Sequence, residues 1–436
     1  MITVIGTGTG APLPPDAEAA LAGAGLVVGA RRHLAAAALP DTAARIVLGP
    51  LAPALDAIER FLEKLEPEKP DERRPVVVLA SGDPGFFGIV RALAERFGSD
   101  RLTVHPGVSS VATAFARLGL TWDDAVVVSA HGRDLRTAVN VCRAHPKVAV
   151  LTGPGSGPAE LGAALRSSER VLVVASALGS GEEGSDEEGA EGEGAGGERV
   201  ERVTPAEAAA RDWGPAVSVV LCLDEARVLS PVRTVAGPPP GPAQWALAEG
   251  DFTHRDSMIT KFEVRALALA RLGPRLGEHV WDVGAGSGSV AVECARLGAA
   301  VTAVEKTLDG VERVRANAAA HGVDVSVVHG AAPTVLSDLP DPDAVFIGGG
   351  GRELPAIVTA CARRARRSVV VAMAALDRVP AVRGALVAAG LDCDGVLLQS
   401  SRLAPLPGDV TRLAATNPVF LLWGVRPPAR SEGVAQ

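Results

Sequence analysis

The sequence predicts an α/β protein of two successive units, and three observations carry that reading. Short apolar runs alternate with helix-patterned segments from the first residues onward. Glycine-rich loops follow strand-like runs at two distant places, 6–10 and 284–288. Between them lies Gly237-Pro238-Pro239-Pro240-Gly241-Pro242, the composition of a stiff linker. The 436 residues suffice for two or three domains of roughly 100–200 residues each.

The first unit opens on the strand 2–5 (ITVI), broken by Gly6-Thr7-Gly8-Thr9-Gly10. A helix at 16–24 and a strand at 26–28 follow, a βα repeat. The run 76–80 (VVVLA) is a buried strand leading into Ser81-Gly82-Asp83-Pro84-Gly85. After Val104 comes Pro106-Gly107-Val108-Ser109-Ser110 and a helix toward Leu118. Further strands are expected at 126–129, 148–151, 171–175 and 217–223. Thr204-Pro205-Ala206-Glu207 reads as a helix start, with a Thr cap, Pro at the first position and Glu at the third.

Composition narrows the function. The net charge is −8, from 43 basic and 51 acidic residues, and residues 179–198 hold eight acids and no base. Outside that stretch the two signs balance at 43 each. The stretch cannot bury enough apolar surface to offset its ordering entropy, so it is expected as a solvated loop insertion. A neutral body with 3% aromatics lacks the basic field and stacking platforms of a nucleic-acid binder. No apolar run suits a membrane span, and no basic-then-apolar leader precedes the first strand. Cys142, Cys222, Cys294, Cys361 and Cys393 are scattered, as reduced cytosolic thiols are. The eight His show no metal-ligand spacing, so no metal is expected.

The second unit restarts the pattern, with a helix at 261–272 and strands at 280–283, 301–304 and 325–328. Trp281-Asp282-Val283-Gly284-Ala285-Gly286-Ser287-Gly288 places glycines where backbone can approach a ligand at a helix N-terminus. Glu305 ends the next strand, where an acid accepts hydrogen bonds from ribose hydroxyls. A nicotinamide fingerprint is G-x-G-x-x-G; the G-x-G-x-G spacing here, with Asp282 ahead of it, resembles motif I of class I S-adenosylmethionine-dependent methyltransferases. His329-Gly330-Ala331-Ala332-Pro333 follows the fourth of these segments, and Asp343-Ala344-Val345-Phe346-Ile347 leads into Gly348–Gly351. Methyltransferases of that class acting on amino nitrogens often carry a D/N-P-P-Y/F tetrad there; glycines in its place favour carbon or another acceptor over an amino group. Thr260 and Glu263 have the spacing of a capping box. Lys261 and Arg265 work against the helix dipole, which suits a carboxylate-bearing ligand.

The run 254–265, the DVGAGSGS loop and the PDAVFIGGGG segment resemble the decarboxylating precorrin methyltransferases of cobalamin biosynthesis. VIGTGTG (4–10), VVGARRHL (27–34), LASGDPGFFG (79–88), HPGVSSVATAFARLGL (105–120) and VSAHGR (128–133) resemble their usual fusion partner, a tetrapyrrole methylase. The resemblance covers nearly the whole chain in the family's order, that of precorrin-6Y C5,15-methyltransferases (decarboxylating). It departs at Thr9, where Pro is frequent, at Pro12-Leu13-Pro14-Pro15, and in the acidic insertion.

The resemblance implies an N-terminal bilobal tetrapyrrole methylase fold at 1–223, a Pro-rich linker at 224–244, and a Rossmann-like class I methyltransferase/decarboxylase domain at 245–428. It implies two methyl transfers from S-adenosylmethionine that convert precorrin-6B to precorrin-8X, at C5 and C15, with loss of carbon dioxide from the ring C acetate. A cobalt-precorrin version of these steps, or a class I methyltransferase acting on RNA, are the alternatives. The cofactor is expected at Gly8, Gly82, Asp83, Pro84, Ser109 and Ser110 in the first domain. In the second it is expected at Asp282, Gly284, Gly286, Gly288, Glu305, Gly330 and Ala331. Substrate contacts are expected from His131, Arg133, Thr260, Lys261 and Arg265. Asp83 alternatively only bonds its own turn, and His131 alternatively is structural. The catalytic acid is not identifiable from sequence. The expected partner is a tetrapyrrole small molecule, with neither nucleic acid nor membrane, and the chain is expected to be a cytoplasmic homo-oligomer.

Overall fold

The computed structural model describes residues 1–8, 12–64, 75–179, 197–214, 218–229, 234–238, 241–242, 244–255 and 258–428. Thr9, Pro239, Pro240 and all of the acidic stretch but residues 179, 197 and 198 lie outside the described residues. Contacts divide the chain into two units: Met1–Arg133 with Ala149–Gly237, and Asp134–Val148 with Pro238–Gln436.

The first unit carries two five-stranded sheets. Strands β1 (Ile2–Gly6), β2 (Leu26–Gly29), β3 (Ala44–Val47), β4 (Val76–Ala80) and β5 (Leu102–His105) form one, in the order β3-β2-β4-β1-β5. All its pairings are parallel. Helices cover both faces of such a sheet, which is why its central strands read as unbroken apolar runs. Ile2, Val4, Val28 and Val78 pack one face, and Ile5, Val27, Val77 and Leu79 the other. Strands β6 (Val126–Ser129), β7 (Lys147–Leu151), β8 (Val171–Ser176), β9 (Arg199–Val203) and β10 (Ser218–Leu223) form the second, ordered β6-β7-β10-β8-β9. The helix Pro205–Ala209 starts on the expected capping box: Thr204 Oγ1 accepts from Glu207 N (3.2 Å), and Glu207 Oε2 accepts from Thr204 N (2.7 Å).

The second unit is a seven-stranded sheet and a hairpin. Its strands are β11 (His279–Val283), β12 (Ala300–Glu305), β13 (Ser326–His329), β14 (Ala344–Ile347), β15 (Ser368–Met373), β16 (Asp392–Leu398), β17 (Ser401–Leu406), β18 (Val410–Ala415) and β19 (Val419–Val425). The sheet runs β13-β12-β11-β14-β15-β19-β16, parallel through β15, with β19 antiparallel to both neighbours. Alternate residues divide between two cores. Trp281, Val283, Val345, Ile347 and Val369 face the layer of helices Leu354–Arg364 and Val379–Ala388. Val280, Val301, Ala344, Phe346 and Val370 face the layer of Phe262–Leu272 and Ser289–Arg296. Strand order reverses between β11 and β14, so the ligand crevice of an open α/β sheet falls at their carboxyl ends. The two glycine-rich segments, 284–288 and 348–351, sit there.

Candidate active sites

Beyond β11, three alternate residues take the left-handed conformation: Gly284 (φ 77°), Gly286 (φ 58°) and Gly288 (φ 74°). A side chain in this region costs about 1–2 kcal/mol, which accounts for glycine before any ligand is considered. Their surroundings differ. A β-carbon on Gly288 would lie 2.9 Å from Val314 Cγ1, and one on Gly284 3.4 Å from the Gly349 nitrogen. One on Gly286 meets nothing within 4 Å. Gly286 therefore borders open space, while Gly288 serves packing against the helix Leu308–Ala320.

Asp282 does not face that space. Its side chain is buried, and Oδ2 accepts from the backbone N of Ala291 at 3.0 Å, in the first turn of Ser289–Arg296. That helix's own cap, Gly288, has no side chain for the task. Through its side chain Asp282 thus fastens the loop to its helix. Burial raises its carboxyl to about 7, with Glu305 adding to the rise and the Ala291 bond opposing it. A pKa raised by folding gives stability that is full below the unfolded value and lost as pH rises through about 7. Asp282→Asn keeps an acceptor for Ala291 and removes the ionisation. Thermal melts should show its gain over the parent growing from about pH 4 to about pH 7 and levelling off above, a difference of several °C between the two ends; an equal shift at every pH would contradict this.

Glu305 is also largely buried but keeps one side available. Oε2 accepts from Gly286 N (3.0 Å), and Oε1 from Thr307 N (3.0 Å) and Thr307 Oγ1 (2.9 Å). A carboxylate has about four acceptor positions, so one is left for a hydroxyl. Gly310 allows this packing, since a β-carbon there would lie 2.5 Å from Glu305 Cγ. Gly330 follows β13 and donates to the Glu305 carbonyl (2.9 Å), bringing Gly330 and Ala331 to the same end of the sheet.

Ala246, Leu247 and Thr253 are stitched to this loop and its helices by side chains that sequence reading missed. Glu293, fully buried, accepts from Ala246 N (3.1 Å), Leu247 N (2.5 Å), Arg265 Nε (3.3 Å) and Arg296 Nη1 (3.3 Å). Asn317 bonds both backbone groups of Thr253 (2.8 and 2.9 Å) and the Ser287 carbonyl (2.7 Å). The available signals were an acid inside the apolar run VAVECA and an Asn inside a helix of good formers.

Arg265, expected on a ligand carboxylate, is enclosed instead. It has no exposed surface, pairs with Glu293, donates to the Thr260 (2.6 Å) and Leu247 carbonyls, and lies 5.0 Å over the Phe252 ring. The expected capping box does not form either. Lys261, not Thr260, is the N-cap, without a side-chain cap bond. Arg402 draws Glu263 away (2.8 Å) and binds Glu249 through two bonds of 2.8 Å, while Glu249 accepts from Phe262 N (2.9 Å). Arg402 and these contacts hold the Glu249 carboxyl down at about 2, with the Lys261 charge a lesser contributor. Lys261 is half-buried at this helix start, its charge close to Glu249.

In the first unit three loops converge. A β-carbon on Gly6 would lie 2.4 Å from Gly82 O and 2.5 Å from Gly107 N, so none of the three segments tolerates bulk there. Gly8 and Gly82, both with φ 57°, form a bridge. Gly82 also lies against Ser109 and Ser110, whose Cα and N would be 3.6 Å from its β-carbon. Pro84 is buried beside Gly6. Asp83 bonds its own turn, accepting from Gly85 N at 2.8 Å. Ser109 Oγ caps the helix Ser110–Leu118 through Ala112 N (3.1 Å). Both side chains are thus engaged, leaving backbone for a ligand. His131 Nδ1 lies 3.2 Å from the Thr152 carbonyl and packs on Gly153. Arg133 is exposed, 5.8 Å over the Phe87 ring.

A model of tetrapyrrole (corrin/porphyrin) methylases matches residues 1–184, and one of the precorrin methyltransferase domain matches 251–423. The chain is 37% identical over 360 residues to a Sinorhizobium sp. protein named precorrin-6Y C(5,15)-methyltransferase [decarboxylating], covering 81% of this chain and 79% of that one. It is 35% identical over 367 residues to a protein of the same name from Mycobacterium tuberculosis, covering 83% of each. A Pyrobaculum calidifontis protein named probable cobalt-precorrin-6B C(15)-methyltransferase (decarboxylating) is 39% identical over 170 residues, 38% of this chain and 87% of that one.

Proposed function

The chain belongs to the decarboxylating precorrin-6Y C5,15-methyltransferases, and from that premise we propose that it converts precorrin-6B to precorrin-8X. It methylates C5 and C15 from S-adenosylmethionine and removes carbon dioxide from the ring C acetate. Residues 1–223 form the domain for C5, and 245–428, after the linker 224–244, the domain for C15 and decarboxylation. The observation that carries this reading is the Gly286–Glu305 corner. Open space beside a left-handed glycine adjoins a carboxylate with one acceptor position left, a fit for a nucleoside with ribose hydroxyls.

S-adenosylmethionine, when bound, supplies the methyl group on a sulfonium. The chain's contribution is to position and to exclude water. Glu305 takes a ribose hydroxyl, and Gly284, Gly286, Gly330 and Ala331 present backbone. In the first domain Gly8, Gly82, Pro84, Ser109 and Ser110 do so. Holding an acceptor carbon in line with a donor methyl is worth several kcal/mol of barrier, up to about 7–11. Cations on the departing carboxylate would stabilise it and slow its loss, so Lys261 grips a different side arm, aided by Thr260. Lys261→Ala should raise KM for the tetrapyrrole at the C15 step about tenfold or more, a charge-assisted bond. Affinity for S-adenosylhomocysteine, by calorimetry, should stay within about twofold of the parent; equal loss of both would remove the assigned role.

We also propose that the chain is a cytoplasmic homo-oligomer. No described helix is long and apolar enough to cross a membrane. Leu403 (78% exposed) and Leu413 (69% exposed) pair in register on the β17–β18 hairpin, a self-complementary apolar face. Leu403→Asp with Leu413→Asp should lower the mass measured by sedimentation; an unchanged mass would put the contact elsewhere.

Calorimetry and label transfer test the function. S-adenosylhomocysteine should bind and NADH should not, and labelled methyl should pass from S-adenosylmethionine to the tetrapyrrole. NADH binding without methyl transfer would overturn it.

A further inference from the structure

The loop after β4 carries two aromatic rings that no core claims. Phe86 is 38% exposed and Phe87 47% exposed, and their rings meet edge to face at 5.0 Å. Large apolar side chains at a loop tip normally turn inward, because exposing them forfeits the burial that favours folding. The backbone adds a second cost. Phe87 has φ 56°, a conformation that a bulky L residue rarely adopts. Its turn is tightly determined: Gly85 N and Phe86 N donate to Asp83, Val90 N donates to Pro84 O, and a β-carbon on Gly88 would lie 2.3 Å from Pro84 O. The fold thus holds Phe87 in a strained conformation with its ring toward water. Strain kept at a loop whose neighbours form a candidate site points to a ligand.

A third group identifies the ligand's chemistry. Arg133, which follows β6 in the unit's second sheet, places its guanidinium 5.8 Å over the Phe87 ring. Among the described residues its side chain makes no ion pair or hydrogen bond, so its charge is directed at the ring rather than at a carboxylate. Two aromatic faces beside an exposed, planar cation suit a large ring with unsaturated segments that carries carboxylates. A nucleotide base alone would not use the cation, and an aliphatic acid would not use the rings.

We propose that Phe86, Phe87 and Arg133 form the platform on which the first unit receives its tetrapyrrole, the rings stacking on the macrocycle and Arg133 holding a carboxylate arm. This rests on the functional reading above and adds the place where the C5 substrate lies. Phe87 is here a binding and positioning residue, with no part in the bond that forms.

The test uses the full chain and the variant Phe87→Gly, because removing the ring also relieves the backbone. A packing role predicts a lower Tm for this variant. The platform instead gives a Tm equal to or above the parent's, with KM for precorrin-6B at C5 raised about tenfold. The C15 step, followed separately by the carbon-13 shift of its methyl, and the stoichiometry of S-adenosylhomocysteine should not change. Arg133→Ala should act in the same direction, and Arg133→Lys should recover only part. An unchanged C5 KM in Phe87→Gly overturns the proposal, as does full recovery by Phe87→Leu, which would make the ring a space-filler. A changed sedimentation coefficient with unchanged KM also overturns it, assigning the rings to a second copy of the chain. A parallel absorbance titration with uroporphyrin I, a flat polycarboxylate, needs no turnover. If the parent fails to methylate C5, the functional reading falls, and the titration still decides the platform by whether Phe87→Gly weakens binding.

Discussion

Gly286→Val is expected to silence the second unit while leaving the first at work. The position has φ 58° and open space before it. A β-branched residue there carries backbone strain of about 1–3 kcal/mol and projects its methyls where the nucleoside is proposed to lie. Together these should weaken binding at this site by at least about 100-fold. Calorimetry should then count one S-adenosylhomocysteine per chain in place of two. C15 methylation and carbon dioxide release should disappear, with C5 methylation retained. Loss of both sites together would show that the two domains do not act separately. Gly288→Val is a poorer probe, because its side chain collides with Val314 and tests packing instead.

Glu293→Ala is expected to cost the most stability of any single change in the second unit. It leaves the Ala246 and Leu247 amides without their acceptor and strands the Arg265 guanidinium in a place with no solvent. Breaking a buried pair by removing one partner costs about 3–5 kcal/mol. For a unit of this size Tm should fall by about 10 °C or more. Replacing both partners, Arg265→Met with Glu293→Leu, should cost less than the sum of the single changes, since no charge is then left unpaired. Thermal melts of the four proteins complete the cycle; a single change costing under about 1 kcal/mol would mean water reaches the pair.

How much was legible follows from what each residue does. The buried parallel strands were readable because a strand covered on both faces is apolar throughout, as β1, β4 and β11 are. Two of the edge strands were not. β3 (ARIV) and β9 (RVERV) carry charge and exposure, as sheet margins do, and charge hides a strand from an apolar search. The glycine loops were legible because a left-handed backbone leaves glycine in the sequence. What surrounds each glycine was not, so Gly286 and Gly288 looked alike although one faces space and the other Val314. The polar residues were hardest. Arg265 and Lys261 both read as cations at a helix start, and only the fold shows that Glu293 encloses the first. Likewise Glu263 had the spacing of a cap, but Arg402, 139 residues away, takes its carboxylate. Side-chain partners distant in sequence are set by topology, and local pattern does not record them.

The central claim is that one chain performs two methyl transfers and one decarboxylation. The most direct measurement supplies precorrin-6B and S-adenosylmethionine with a carbon-13 methyl to the full chain, then determines the product by mass and carbon-13 spectra. The expected product carries labelled methyls at C5 and C15 and has lost the ring C acetate carboxyl as carbon dioxide. A product with a single labelled methyl, or with both methyls and the carboxyl retained, would contradict the account.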